Sequence, residues 1–456
     1  MKKKILVAVV VLMAILAFTL AGCSPKNDGI LDSYSIPQID LDATAMNDTE
    51  EEQYKSMYGY TTVDDSREYL AHPDAVQLDD GRMVIYYSLG HGKGAIGGKV
   101  SNDNGKTWQP IDGLPKTWQN SMETPTIYKL QFNRGQSDEY SKYILISGCP
   151  TWGGRYKGNG FNVSVSNDGI TGWTEFQNFY GLDYNGKKGE NFVAPIVAMA
   201  SLTQLKENGR WVNKWMGFFH DDNAYNYKTI LSFDDYGYMS WSAPEKYFSQ
   251  YRKIEKKAFM CEVEVVRSNR GEGDQLCLIA RSNGNHRNKE LNSFISISND
   301  EGATWGEPKF LPASVNGERH KAEWIKDKDG NDRLFITFRS INKDINKLKV
   351  STEKNGSGNG MWYSEGWVAW VGTYDDLINC KEGQYRIKLA HTYLKDQTKS
   401  EMNANGDCGY SGNVVFDGGY QMMTSTYGKF VKDKTIIASK VIDIRLIDEM
   451  VAKLNK

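Results

Sequence analysis

The sequence predicts an all-β fold, a six-bladed β-propeller built from four-stranded antiparallel blades. Three observations support this prediction. The 456 residues include 12 Trp, 26 Tyr and 44 Gly, and aromatic side chains suit pleated strands while glycine suits turns. A short motif recurs along the chain at a nearly constant spacing. Pairs of apolar runs with the length of strands also recur, six times in all.

The recurring motif predicts a turn between two strands. It reads SNDNGKTW from Ser101, SNDGITGW from Ser166, SFDDYGYMSW from Ser232 and SNDEGATW from Ser298, at spacings of 65, 66 and 66 residues. A further step of 66 residues reaches Ser364, in YSEGW, which we interpret as a decayed fifth copy. The Asp carboxylate accepts backbone N–H groups of a tight turn, Gly takes a positive φ, and Trp packs under the hairpin. A constant period indicates stacked or radial units.

The paired apolar runs predict the two inner strands of each blade. The first strands are expected to start near Pro73, Thr124, Ala194, Cys261, His320 and Tyr410. The second strands are expected to start near Arg82, Lys142, Lys214, Gln275, Arg333 and Tyr420. Each pair is followed by the turn motif or its remnant, which gives six blades of four strands. Residues 379–404 are expected to form a long insertion between blades.

The N-terminus predicts export from the cytoplasm. Three lysines precede the apolar stretch 5–20, which is too short for a comfortable membrane span and ends at Ala-Gly-Cys23. This pattern resembles a bacterial lipoprotein signal, in which Cys23 carries the lipid; a plain signal peptide or N-terminal anchor is the alternative. The expected division is a signal peptide over 1–22, a flexible tether over 23–60, a propeller over 61–445 and a C-terminal tail, with a short helix, over 446–456. The protein is then expected outside the cytoplasm, anchored to the membrane by lipid.

Charge and cysteine content exclude several partners. The chain has 55 basic and 57 acidic residues, a net charge of −2, so no overall positive field attracts nucleic acid. The five cysteines after Cys23 form no CxxC pair and are expected to be free thiols. The histidines come from different blades without metal-ligand spacing, so we expect no metal and no cofactor. A monomer is expected.

Polar residues cluster where the propeller topology predicts a central funnel. The start of the first strand and the end of the second lie on one face of each blade. The starts carry His72, Asp74, Glu123, Glu262, Arg319, His320 and Tyr410, and the ends carry His91, His220, Arg281 and Arg339. Four of the six histidines fall in this set. The pattern therefore predicts a polar pocket on the axis.

These motifs resemble the sialidase-like propellers. The turn motif is similar to the Asp-box of that family, Tyr410 in GYSGNVVF to its nucleophile, and Glu262 in CEVEVV to the residue that takes the nucleophile's proton. An unperturbed Tyr has a pKa of about 10, so it needs such a base at neutral pH. Arg281 and Arg339 match two of the three arginines that hold the substrate carboxylate. The resemblance implies a retaining, exo-acting glycoside hydrolase that removes a terminal acidic sugar, sialic acid or another, from a glycan.

Two parts of the family pattern are missing. Ala71-His72-Pro73 stands where the first arginine is expected, and the nearest arginine is Arg67. The loop 88–98 lacks the general-acid Asp, which leaves His91 and Asp74 as candidate acids. Arg319 is a candidate third arginine. The expected substrate contacts are completed by His72, His220, His320 and Glu123, with Trp118 and Trp152 as candidate stacking surfaces for sugars.

Two other functions fit the same residues. A glycan-binding lipoprotein would keep the funnel but lack the acid. A polysaccharide lyase would use Tyr and His as base and acid on a uronic acid. Both alternatives remain open at the level of the sequence.

Overall fold

The structure is a computed structural model that describes residues 34–47, 51–90, 95–121, 124–149, 159–221, 223–282, 291–341, 364–390, 408–431 and 434–454. Six antiparallel sheets form the blades of a propeller ring, which confirms the predicted fold. The inner strands start at one end of the ring, called here the funnel end. The turns between third and fourth strands lie at the opposite end, called here the turn end.

The first four blades follow one another along the chain. Blade 1 contains Ala71–Gln77, Met83–Ser88, Ile96–Ser101 and Gln109–Pro110; blade 2 contains Pro125–Phe132, Tyr140–Gly148, Phe161–Ser166 and Gln177–Phe179. Blade 3 contains Ser201–Glu207, Arg210–His220, Asn226–Phe233 and Met239–Trp241, with Glu245–Lys246 beside its third strand; blade 4 contains Met260–Arg267, Leu276–Ser282, Phe294–Ser298 and Lys309–Phe310. The inner strand of blade 3 thus begins at Ser201, later than the predicted Ala194.

The last two blades each gain a strand from the start of the chain. Blade 5 contains Gly317–Lys326, Asp332–Ile341, Ser364–Gly372 and Tyr385–Ala390, with Gln38–Asp40 at its outer edge. Blade 6 contains an inner strand in two pieces, Cys408–Gly409 and Asn413–Phe416, then Gln421–Val431, Lys434–Asp443 and, outermost, Thr61–Asp64. Thr61–Asp64 is therefore the outermost strand of blade 6, whose other strands come from residues 408–443. The hydrogen bonds of this strand close the ring.

The helices are short and lie outside the blades. The α-helices in the described ranges are Glu52–Lys55, Arg252–Ala258, Tyr374–Ile378 and Ile444–Leu454. The 3₁₀ turns are Ala43–Ala45, Lys116–Asn120, Ser249–Tyr251, Asn269–Gly271, Ala313–Val315 and Asp417–Gly419. Among the residues described, no helix is long and apolar enough to cross a membrane.

The turn motif has the geometry that its residues predict. In the first copy, the carboxylate of Asp103 accepts the backbone N–H of Thr107 at 2.8 Å and of Lys106 at 3.1 Å. Gly105 has a φ of +83° and donates its N–H to Ser101. The indole of Trp108 donates to the Gly105 carbonyl across 3.1 Å. Hydrogen bonds among residues of the motif therefore hold the tight turn.

The predicted fifth copy of the motif is wrong. Ser364 starts the third strand of blade 5, whereas the motif elsewhere starts where a third strand ends. The helix Tyr374–Ile378 follows this strand at the turn end instead. The predicted insertion over 379–404 is also corrected, because Tyr385–Ala390 within it is the fourth strand of blade 5. The extra residues in this blade shift its strands away from the 66-residue period.

The described part of the predicted tether is packed on the ring. Gln38–Asp40 pairs in parallel with Tyr385–Ala390, and Tyr54 is buried in the core shared with the C-terminal helix. The ammonium of Lys440 donates to the carbonyls of Leu41 at 2.7 Å and Met57 at 3.0 Å. Apolar residues too irregularly spaced to predict a strand or helix hold this segment, which we expected to be free. The predicted C-terminal helix is present and packs on the same core.

Candidate active site

Irregular pairing redirects side chains at the funnel end. The register between first and second strands shifts in blades 1, 4 and 5, at Ala71/Asp74, Cys261/Val263 and Glu318/Lys321, and the inner strand of blade 6 is broken between Gly409 and Asn413. A bulge bends the strand and changes the direction of its side chains. His72, Glu262, Arg319 and Tyr410 all lie within these irregular segments.

Three of the four redirected residues have a left-handed backbone. The φ angles are +53° at His72, +55° at Arg319 and +55° at Tyr410. A side chain other than glycine pays about 1–3 kcal/mol for such a conformation, and strain of this kind clusters at functional sites. The three residues come from blades 1, 5 and 6. The fold therefore holds strained residues together at one end of the axis.

These residues open onto a small pocket. The pocket is lined by Pro73, Asp74, Thr124, Pro125, Thr126, Ala200, Glu262, Val263, Arg319, His320, Lys321, Tyr410 and Ser411. Blades 1, 2, 4, 5 and 6 all contribute, so the pocket lies where the inner strands converge. The structure thus brings together Tyr410, Glu262, Asp74, Arg319 and His320, as the sequence predicts.

Tyr410 and Glu262 form a hydrogen-bonded pair. The Tyr410 hydroxyl donates to Oε1 of Glu262 at 3.0 Å, and Arg281 donates to Oε2 of the same carboxylate at 2.5 Å. Burial raises the pKa of Glu262, but the charges of Arg281 and Arg319 outweigh it and lower this pKa to about 2. The carboxylate is therefore ionised at neutral pH and oriented to accept the phenol proton.

Two groups flank the Tyr410 ring. The His72 ring centroid lies 4.2 Å from that of Tyr410, with 34° between the planes. The guanidinium carbon of Arg319 lies 3.6 Å from the Tyr410 centroid. Tyr427 meets the ring edge-on at 6.0 Å. The predicted nucleophile is thus held on several sides.

Glu318, which the sequence analysis missed, joins the two predicted clamp arginines. Its side chain is fully buried, with Oε1 at 3.1 Å from Arg281 and Oε2 accepting from Nε of Arg339 at 2.8 Å. Nη2 of Arg339 also donates to Oε2, and Nη1 donates to the Cys408 carbonyl at 3.2 Å. Neither arginine lines the pocket, and both guanidinium groups are paired with carboxylates of the chain. The sequence signal was the residue before Arg319, in GERH.

Asp74 lies in the pocket wall with both carboxylate oxygens engaged. Oδ1 accepts the N–H of Ala75 and Oδ2 accepts the N–H of Ile127 in blade 2, each at 3.0 Å. Burial raises the pKa of Asp74, although Lys321 at 3.7 Å opposes this effect. A carboxyl group with a raised pKa can donate a proton to a leaving group. Of the two candidate acids, His91 lies outside the described residues.

The other predicted histidines are buried. Nε2 of His320 lies 2.9 Å from the Val315 carbonyl, and its ring stacks on Phe338. His220 ends the second strand of blade 3, where it interacts electrostatically with Glu262. Burial lowers the pKa of both to about 4. Both imidazoles are therefore neutral at physiological pH. They can form hydrogen bonds but carry no positive charge.

A second group of carboxylates surrounds Lys321. Burial raises the pKa of Glu264 to about 7 and that of Glu323 to about 8, with Lys321 opposing both effects. Oε1 of Glu264 accepts the N–H of Ala322 from the next blade at 3.2 Å. The sequence analysis missed this group, because each glutamate lies three residues beyond the strand start that it examined, Cys261 or His320.

Of the remaining predicted residues, the structure describes Trp118 and Arg67 but not Glu123, Trp152 or Cys23. Trp118 is fully buried against Tyr86 and Trp173, so the expectation that it stacks on sugars is wrong. Arg67 is exposed and donates to the Leu89 carbonyl. Glu123, Trp152 and Cys23 lie outside the described residues. In the ranges that the structure covers, no three His, Cys, Asp or Glu side chains are grouped as metal ligands, and Cys149, Cys261, Cys277, Cys380 and Cys408 are free thiols.

Solved structures share this architecture at low sequence identity. A protein of unknown function from Dyadobacter fermentans is 15% identical, with a TM-score of 0.52 over 84% of this chain and 98% of that one. The α-L-arabinofuranosidase from Fusarium graminearum, solved with an iminosugar inhibitor, is 11% identical, with a TM-score of 0.53 over 85% of this chain and 98% of that one. A Hadza microbial sialidase is 14% identical, with a TM-score of 0.47 over 82% and 66%. No protein-family model and no curated protein sequence matches the chain.

Proposed function

We propose that the chain, which shares its six-bladed propeller fold with the arabinofuranosidase, is an exo-acting glycoside hydrolase of the sialidase-like class. It removes a terminal sugar from a glycan. The observation that carries this proposal is the hydrogen bond from Tyr410 to an ionised Glu262 in the wall of a pocket. A phenol becomes a usable nucleophile when a fixed base takes its proton.

The proposed reaction has two displacements. Tyr410 attacks the anomeric carbon while its proton passes to Glu262, and Asp74 gives its proton to the leaving glycosidic oxygen. The bond from the anomeric carbon to that oxygen breaks as the bond to the Tyr410 oxygen forms. Water then attacks the glycosyl-tyrosine, its proton passes to Asp74, and Glu262 returns the phenol proton. Two inversions retain the anomeric configuration.

The sugar proposed from the resemblance is acidic, and the structure changes which residues would hold it. Arg281 and Arg339 are occupied by Glu262 and Glu318. Arg319 and Lys321 line the pocket. We therefore assign a substrate carboxylate to Arg319, since Lys321 already faces Asp74 and Glu264 and an arginine in the pocket wall can reach the ligand directly.

The experiment is incubation of the purified protein with a glycan panel, followed by mass spectrometry of the products. The panel contains sialosides in both common linkages, uronides and neutral arabinosides. Release of a free reducing sugar supports hydrolysis. An unsaturated product that absorbs in the ultraviolet would replace the proposal with a lyase, and binding without any product would replace it with a glycan-binding protein.

We also propose that lipid on Cys23 anchors the protein outside the cytoplasm with its pocket facing away from the membrane. Gln38–Asp40 runs parallel to Tyr385–Ala390, which starts at the turn end. Just before it, Ser35 donates its N–H to Glu382, and Pro37 accepts the N–H of Arg386. The chain thus enters the fold at the turn end. Ten residues lie between Cys23 and Tyr34, so the eleven Cα-to-Cα steps reach at most roughly 40 Å.

A further inference from the structure

The ring of Tyr410 lies between a cation and an aromatic ring. Arg319 approaches its centroid to 3.6 Å and His72 to 4.2 Å. Two groups of this size cannot both lie within about 4 Å of one face without overlapping, since carbon atoms in contact are about 3.5–4.0 Å apart. Arg319 and His72 therefore occupy opposite faces, and the ring is clamped between them.

The backbone is strained at all three members of this clamp. His72, Arg319 and Tyr410 each have a positive φ, and each lies in an interrupted part of an inner strand. A regular strand would send successive side chains to alternate faces of the blade. Nδ1 of His72 also lies 3.2 Å from the hydroxyl of Thr124, which fixes the imidazole plane. The strained backbone at these three positions thus supports one arrangement, in which the Tyr410 ring lies between His72 and Arg319.

We propose that Arg319 and His72 are positioning residues that act through Tyr410: the two hold its ring in place, and the Arg319 charge stabilises the phenolate. A cation over an aromatic face is attracted to it, and a positive charge within 4–6 Å of an ionisable group favours the anion. The catalytic consequence rests on the proposed function, whereas the effect on the phenol does not. Arg319 thereby gains a role besides contact with a substrate carboxylate.

Charges of both signs act on the ionisation of Tyr410, so the contribution of Arg319 to its pKa can be measured. The negative charge of Glu262, which accepts the phenol hydrogen bond, disfavours ionisation of Tyr410. Arg281 interacts electrostatically with Tyr410 and favours it. The ionisable groups that face Tyr410 include Glu262, Arg281, Arg319, His72 and Tyr427. Removing Arg319 leaves Glu262 opposed by one guanidinium instead of two.

The test is a pH titration of the protein labelled with ¹³C at the tyrosine ring carbon that bears the hydroxyl, followed by NMR. Tyr410→Phe identifies the signal. Arg319→Gln is expected to raise the pKa of Tyr410 by about 1 unit or more, and Arg319→Lys is expected to raise it less. The matched control is Arg252→Gln, because Arg252 stacks on Tyr225 at 3.6 Å far along the chain from the clamp; it leaves the Tyr410 signal unchanged.

Arg319→Met, which removes the charge and keeps an unbranched side chain, keeps the test decisive if Arg319→Gln does not fold. An unchanged Tyr410 pKa in a folded variant without the charge overturns the proposal. The titration needs no substrate, so a shift in a protein that hydrolyses no glycan leaves this inference standing while the proposed function fails. For His72, we expect His72→Ala to lower kcat about 10-fold or more with little change in KM, and His72→Phe to restore most of it; equal activity of both variants and wild type would remove His72 from the clamp.

Discussion

The hydroxyl of Tyr410 donates a hydrogen bond to Glu262 across 3.0 Å, although 148 positions separate the two residues in the chain. Tyr410 interrupts the inner strand of blade 6, and Glu262 lies on the inner strand of blade 4. These blades are not neighbours in the ring. Their inner strands approach each other only across the axis, so the pair forms only when the propeller closes.

The first prediction concerns the nucleophile. Tyr410→Phe removes the attacking oxygen while keeping the ring between His72 and Arg319, so we expect kcat/KM to fall about a thousandfold or more on any glycoside that the protein cleaves. The control is Tyr140→Phe, because Tyr140 is 47% exposed and stacks on Phe132 away from the pocket. Turnover that survives Tyr410→Phe unchanged would remove Tyr410 from the mechanism.

The second prediction concerns Glu318. Glu318→Gln leaves Arg281 and Arg339 without a shared buried counter-charge, and breaking a buried ion pair costs about 3–5 kcal/mol. The measurement is the free energy of unfolding in urea. Glu207→Gln is the matched control, because Glu207 pairs with Lys214 on the surface, where a pair is worth about 0–1 kcal/mol. Equal losses in the two variants would show that the buried network does not stabilise the fold.

The third prediction concerns pH and stability. Burial raises the pKa of Glu264 to about 7, whereas an unfolded chain has a Glu pKa of about 4.3. Between these values the folded state binds more protons, so the free energy of unfolding falls as pH rises from about 4.3 to about 7. Glu264→Gln should lessen this fall relative to wild type, and Glu207→Gln should not. An identical pH dependence in wild type and Glu264→Gln would contradict the environment described for this carboxyl.

The fourth prediction concerns the anchor. Cys23→Ser removes the thiol that would carry lipid, so we expect the protein to move from the membrane fraction to the soluble fraction of its host cell. In the lipid-bearing protein bound to vesicles, a fluorophore at Asn167, an exposed position in a turn-end motif, should be quenched by labelled lipid more strongly than one at the funnel end. Stronger quenching at the funnel end would reverse the proposed orientation.

The sequence predicts the ring well because its signals are local. Each turn motif joins consecutive strands, and the carboxylate, glycine and indole of a copy such as 101–108 contact one another directly. Blade 5 is an exception to the constant spacing. Extra residues lie between its second and third strands, so Ser364 starts the third strand instead of ending it. The N-terminal strands Gln38–Asp40 and Thr61–Asp64 pair with residues more than 300 positions away, and no short pattern encodes such a partner.

The candidate site is predictable in part for a related reason. Tyr410, Glu262, Asp74 and Arg319 are found because strand starts and ends meet at the funnel. The pairing of Arg281 and Arg339 with Glu318 is not visible in the sequence, because it depends on which of several charged side chains the bulges turn inward. Burial, rather than residue type, sets the raised pKa of Glu264.

The central claim, that Tyr410 is the nucleophile, can be tested by trapping the intermediate. The protein is incubated with fluorinated glycosyl fluorides, one acidic and one neutral, and its peptides are mapped by mass spectrometry. We predict a glycosyl adduct on the phenolic oxygen of Tyr410, lost in Tyr410→Phe and retained in Tyr140→Phe. An adduct on Glu262 or on any other residue would contradict the account.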